Sequence, residues 1–108
     1  MNREPLIVFT TFPDAPTARR VVHTLVEEKL VACGNLIPAV ESIYRWRGAI
    51  EKAAEIFVVL KTERARYQHL EARLLELHPA EVAECIAFPA SEGSAAYLRW
   101  ISDAVTAA

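Results

Sequence analysis

The sequence predicts an α+β sandwich forming one domain over residues 1–108. Its elements run β-α-β-β-α-β, with an extended hairpin between the second and third strands and a short C-terminal helix. Three observations predict this. Short apolar runs rich in β-branched or aromatic residues recur at 6–9, 56–60 and 82–88, as in buried strands. Two stretches, 17–30 and 62–78, carry apolar residues at helical spacing. Proline or glycine punctuates the junctions at Pro13, Pro16, Gly48, Pro79 and Pro89. The order is that of the split βαβ, or ferredoxin-like, arrangement. Right-handed crossovers place both long helices on one face of a four-stranded sheet. The other face then has no cover.

Leu6-Ile7-Val8-Phe9 opens the first strand, expected to end near Thr11. Asp14 is placed to cap the helix that follows, with Pro16 in its first turn. Ala18, Val21, Val22, Leu25, Val26 and Leu30 form that helix's apolar stripe. Residues 31–46 are extended in character, and Gly34 and Pro38 inside them point to a bulge or an edge. Gly48 marks a tight turn, and residues 51–61 return. Thr62 is placed to cap the second helix, which Pro79 stops at His78. The fourth strand is expected over 82–88, closed by Pro89, and Leu98, Ile101 and Val105 mark the terminal helix.

Composition excludes several classes. A chain of 108 residues, 53% hydrophobic, buries roughly 65% of its unfolded surface and needs no cofactor or disulfide merely to fold. With 12 Lys+Arg against 14 Asp+Glu, no basic stripe invites nucleic acid and nothing invites an anionic membrane surface. No stretch approaches the ~20 apolar residues of a membrane helix. The start, Met1-Asn2-Arg3-Glu4-Pro5, does not read as a signal peptide. Two cysteines, Cys33 and Cys85, stand far apart and in no CxxC, so a reducing cytoplasm is the expected compartment.

The hairpin is oversized. A chain of this length packs to a diameter near 34 Å, whereas residues 32–46, fully extended, span roughly 45–50 Å. The arm must bend at Gly34 or Pro38, or project. A projecting arm carrying Ile43, Tyr44 and Trp46 exposes apolar area and an unpaired edge, which soluble proteins cover. The economical cover is another copy of the chain, the alternative a hairpin curled onto its own sheet.

Leu30-Val31-Ala32-Cys33-Gly34-Asn35-Leu36-Ile37-Pro38, Ser42-Ile43-Tyr44-Arg45-Trp46-Arg47-Gly48-Ala49-Ile50-Glu51 and Leu60-Lys61-Thr62 closely resemble the CutA family. So do His78-Pro79, Glu84, Pro89 and Tyr97-Leu98-Arg99-Trp100-Ile101. The resemblance implies a ferredoxin-like subunit, a tight homotrimer similar in plan to PII signalling proteins, and a link to divalent-cation tolerance, with copper binding in some members. The chain departs from the family's His-Pro-Tyr and Val-Pro-Glu at Ala80 and Ala83. Some bacterial members hold copper with a first-strand Cys and paired His. Thr10 and Leu77 stand at two of those positions, and His78 alone carries over.

His78 and Cys85 are the candidate metal ligands, since a soft divalent cation such as copper or zinc favours imidazole with thiolate. Each also has a structural reading: His78 as a cation at a helix C-terminus, Cys85 as a packed apolar residue. Cys33, Asn35, Tyr44, Trp46, Lys61, Glu84 and Trp100 are candidates for an intersubunit cleft or interface. Tyr44 and Trp46 alternate and so share a strand face. Lys61 and Glu84 are charges near core segments and need partners. No GxSxG, P-loop or GxGxxG occurs, so no enzyme is expected and no cofactor is required. A metal-linked homotrimer, a PII-like small-molecule sensor and an adaptor trimer without ligand chemistry remain the readings.

Overall fold

The computed structural model describes residues 2–106. Its elements are β1 (Pro5–Phe12), α1 (Ala15–Glu27), β2 (Cys33–Trp46), β3 (Ala49–Glu63), α2 (Arg64–Leu77), β4 (Ile86–Pro89) and α3 (Ala95–Val105). The four strands form one antiparallel sheet in the order β2-β3-β1-β4.

The alternation of β1 sorts the two faces. Leu6, Val8, Thr10 and Phe12 are buried and the residues between them only partly so. Through the register, Leu60 and Val58 of β3 join the buried face. Val21, Val22 and Leu25 of α1 and Leu70 and Leu74 of α2 close over it as the main core. Arg73 of α2 grips Glu28 at the end of α1 in a bidentate pair, both N–O distances 2.9 Å. The Arg73 hydrogen bonds hold the Glu28 carboxyl below its ordinary pKa.

Asp14 caps α1 as expected, its Oδ1 accepting from the Thr17 N–H at 2.8 Å. That helix ends earlier than its apolar stripe. Lys29 takes a left-handed φ of 58°, and the Leu30 and Lys29 N–H groups bond back to the carbonyls of Leu25 and Val26. This is a Schellman termination, which tucks Leu30 into the core after the helix has stopped. Thr62 is not the cap of α2. Its Oγ1 donates to the Leu30 carbonyl at 2.7 Å inside the core, and the N-cap is Glu63, without a side-chain cap bond. The fourth strand is shorter than expected, because residues 82–85 run as a connection and only 86–89 pair with β1. Glu84 and Cys85 therefore precede the strand.

The second sheet face is not wholly bare. Ile101 and Val105 of α3 pack on Ala32 at one end of the sheet, and Arg3 bonds to Ser102. Away from that end lies an apolar surface: the Phe9 ring packs at a tilt on Phe57 and edge-on to Phe88, at centroid distances of 4.9 and 5.1 Å. Ile37, Ile86 and Phe88 around it stay 46, 60 and 44% exposed.

The hairpin both bends and projects. Between Ile37↔Phe57 and Val40↔Glu55 the register slips by one residue. Pro38 and Ala39 form this bulge, with Ala39 at φ 62°. An extra residue reverses the alternation, so Val40, Ser42, Tyr44 and Trp46 share the outer face with Cys33, Asn35 and Ile37. Arg47 and Gly48, at φ 50° and 82°, make the two-residue turn whose twist suits a hairpin. The long axis is 43 Å against 25 and 22 Å for the others.

Candidate functional site

Pairing of β1 with β3 stops at Phe12↔Ile56. Beyond it, residues 49–55 of β3 have β2 on one side and no strand on the other. The α2–β4 connection turns under this overhang and leaves a cleft of about 670 Å³. Ser42, Tyr44 and Trp46 line it from β2 and Glu55 from β3. His78, Glu81 and Glu84 line it from the connection, with Thr11 and Pro13 from the end of β1.

His78 is held on three sides. Nε2 lies 2.6 Å from the Thr11 carbonyl oxygen and Nδ1 lies 3.0 Å from the Ala80 N–H. A carbonyl can only accept and a backbone N–H only donate, so the ring is the neutral tautomer with its proton on Nε2. The imidazole also stacks on Phe12, centroids 4.5 Å apart. Pro79 brings this about by ending α2 at His78, whose extended backbone turns the ring back toward β1.

Cys85 lies elsewhere, packed against the main core and not among the residues lining the cleft. Its Sγ is 3.6 Å from the Tyr67 hydroxyl, which also donates to Glu71 at 2.9 Å. Burial pushes the Cys85 thiol pKa up, outweighing the Tyr67 hydrogen bond. The structure does not present His78 and Cys85 as a metal pair. A ligating imidazole needs a free ring lone pair, and the Nδ1 pair of His78 already accepts from Ala80. A ligating Cys must be a thiolate, and burial here disfavours the anion. Among the described residues no three His, Cys, Asp or Glu side chains converge to hold a metal ion.

The cleft's charges are acidic. Partial burial, with the Glu55 charge, raises the Glu84 pKa above the usual carboxylate value. Glu81 Oε2 accepts from Arg47 Nη2 at 2.7 Å, and the Arg47 guanidinium carbon sits 5.3 Å from the Trp46 ring centroid. The hairpin tip is thereby tied to the connection.

Of the sequence candidates, Tyr44, Trp46, Glu84 and His78 meet in this cleft. Cys33, Asn35, Lys61 and Trp100 do not. Lys61 Nζ donates to Asn35 Oδ1 at 2.6 Å across β2 and β3, so its partner is Asn35 and not Glu84. Cys33 Sγ faces the Tyr97 hydroxyl at 3.9 Å, and Tyr97 packs on Trp100 with ring centroids 5.5 Å apart. Arg47, Glu55 and Glu81 were missed. Arg47 stands inside the hairpin motif but was given no role there, Glu55 and Glu81 lie outside any motif, and the bulge register with the course of the α2–β4 connection places them.

Comparison with known proteins agrees with this fold. The family model "CutA1 divalent ion tolerance protein" matches residues 6–104. The divalent-cation tolerance protein CutA of Thermus thermophilus is 38% identical over 97 residues, 90% of this chain and 94% of that protein. Mouse protein CutA is 40% identical over 93 residues, and there this chain spans about half the relative's length, 52%. The crystal structure of CutA1 from the psychrotrophic Shewanella sp. SIB1 superposes with a TM-score of 0.92 at 40% identity, covering 99% of this chain and 100% of that one. With the family model matching residues 6–104 and a relative 38% identical over 90% of the chain, the chain belongs to the CutA1 divalent ion tolerance family.

Proposed function

We propose that this protein acts as a homotrimer in divalent-cation tolerance, as a cytoplasmic binding or assembly protein and not as an enzyme. One observation carries the self-association: the outer sheet face around Phe9, Phe57 and Phe88 and the overhanging hairpin are apolar and unpaired in a single chain. Burying a half-exposed Ile or Phe is worth about 1 kcal/mol each, and another copy of the hairpin brings both an apolar face and a strand edge. The copy number of three comes from the family resemblance. The unlinked cysteines suit a reducing compartment.

Sedimentation equilibrium at micromolar concentration tests the assembly. The expected particle is three times the 12.0 kDa chain mass, and a well-folded species at the chain mass sinks the proposal. Direct capture of copper or zinc by His78 and Cys85 requires His78 to leave Thr11 and Ala80 and Cys85 to lose a proton that burial retains. Titration calorimetry with each metal, on wild type, His78→Ala and Cys85→Ser, tests it. Heats unchanged by both substitutions remove these residues as ligands.

A second reading, a small-molecule sensor, is favoured by the cleft itself. Its volume of about 670 Å³ falls within the roughly 300–1,000 Å³ of ligand pockets. A thermal-shift screen of small metabolites checks it, since a ligand of the native state raises the melting temperature.

A further inference from the structure

A second cavity, of about 280 Å³, lies between α3 and the segments at the start of β1 and the end of β3. Glu63 of β3 stands in its wall with Arg3, and α3 contributes Leu98, Arg99, Ser102 and Asp103. No residue of the hairpin cleft takes part.

Glu63 is the unusual member. It is only 4% exposed, yet its carboxylate has no partner among the described residues. It does not cap α2 and it enters no ion pair. The guanidinium groups on either side of it in the chain are turned elsewhere, Arg3 donating to the Ser102 hydroxyl and Arg64 to Glu4. A carboxylate so far from water needs a partner to stay charged, and the cavity is where one can reach it.

The rim carries both signs. Arg99 and Asp103 are exposed and stand four residues apart on α3. Among the described residues neither forms an ion pair, with the other or elsewhere. A base four residues ahead of an acid is the less favourable order for pairing along a helix. Arg3 uses one of its five N–H donors on Ser102.

We propose that this cavity binds a small zwitterion, an α-amino acid, whose ammonium meets Glu63 and Asp103 and whose carboxylate meets Arg99 and the remaining donors of Arg3. A bare metal cation would face two guanidinium groups, and it would find two carboxylates where hard divalent ions take six or more oxygens. A bare anion would face the buried Glu63. A molecule with both signs on adjacent carbons answers both sets of charges. The volume of about 280 Å³ lies just under the roughly 300–1,000 Å³ of drug-sized pockets, which limits the ligand to a short side chain beside Leu98. The inference goes beyond the proposed function and rests on neither the hairpin cleft nor the copy number.

Titration calorimetry of the intact assembled protein with L-alanine tests it, in parallel with ethylamine and propionate, each of which keeps one of alanine's two charges. Alanine should bind, and each half should bind at least about tenfold more weakly, as loss of one charged partner requires. Glu63→Gln should weaken alanine binding about tenfold and leave propionate unaffected. Arg99→Gln, at an exposed position, should weaken it about two- to fivefold, and it keeps the test available should Glu63→Gln fold poorly. No alanine heat at millimolar concentration overturns the proposal. Alanine heat unchanged by both substitutions puts the binding elsewhere and overturns it too. Ethylamine or propionate binding as tightly as alanine reduces the cavity to a simple ion site and likewise sinks the zwitterion.

Discussion

Two threonines give a sharp test of how this core is held together. Thr10 and Thr62 are both fully buried, on adjacent strands and the same sheet face. Thr62 Oγ1 donates to the Leu30 carbonyl at 2.7 Å, whereas Thr10 Oγ1 has no hydrogen-bond partner among the described residues. Replacing each by Val exchanges a hydroxyl for a methyl of similar size. Thr10→Val removes an unpaired polar atom and should stabilise by about 1 kcal/mol. Thr62→Val breaks a buried bond and strands the Leu30 carbonyl, and should destabilise by about 1–3 kcal/mol. The same chemical change thus has opposite signs at two sites. The assay is urea unfolding at one fixed protein concentration, because self-association adds to apparent stability. The midpoints should move in opposite directions with the slope unchanged. Thr10→Val losing as much stability as Thr62→Val would refute the reasoning and show that the Thr10 hydroxyl is satisfied by water.

Three further outcomes are expected. A Cβ at Gly34 would lie 2.6 Å from Val22 Cγ1 and 3.0 Å from Leu60 Cδ2. Gly34→Ala should therefore cost about 1–3 kcal/mol, with partial rescue by Val22→Ala in the double variant, read by urea unfolding. Since burial and Glu55 raise the folded-state pKa of Glu84, the folded protein binds that proton more tightly than the unfolded chain does. The Glu84 contribution to stability is thus full below the ordinary carboxylate pKa and falls as pH rises through the raised value. The wild type should lose stability relative to Glu84→Gln as pH climbs through that window, and parallel pH profiles would dismiss this. His78→Ala gives up two hydrogen bonds and the Phe12 stack. It should cost about 2–3 kcal/mol equally with and without chelator, whereas a loss seen only in the presence of metal would assign His78 to a ligand role.

The β-α-β-β-α-β order followed from local chemistry. Asp14, Pro16, Pro79 and Gly48 act within a few residues of themselves, so capping, helix arrest and the tight turn could be read along the chain. Thr62 and residues 82–85 were misread for the converse reason. A threonine before a helix is a good cap, but the Leu30 carbonyl, 32 residues away in the chain, claims its hydroxyl. A stretch such as 82–85 is a strand only where a partner runs beside it, and β1 pairs with β4 no further than Ile86.

By itself, the sequence determined the element order, the oversized hairpin and the apolar faces, because periodicity and turn chemistry are properties of neighbouring residues. Only the tertiary structure decided what each polar group meets. It set the His78 ring against the Thr11 carbonyl and separated Cys85 from the cleft. It also set Glu55 and Glu81 around one cavity, with Arg47 bonded to Glu81. The physical reason is that these meetings join residues far apart in the chain; in the hairpin it is the bulge at Pro38 and Ala39, where a one-residue slip redirects every side chain beyond it and is defined only against the opposite strand.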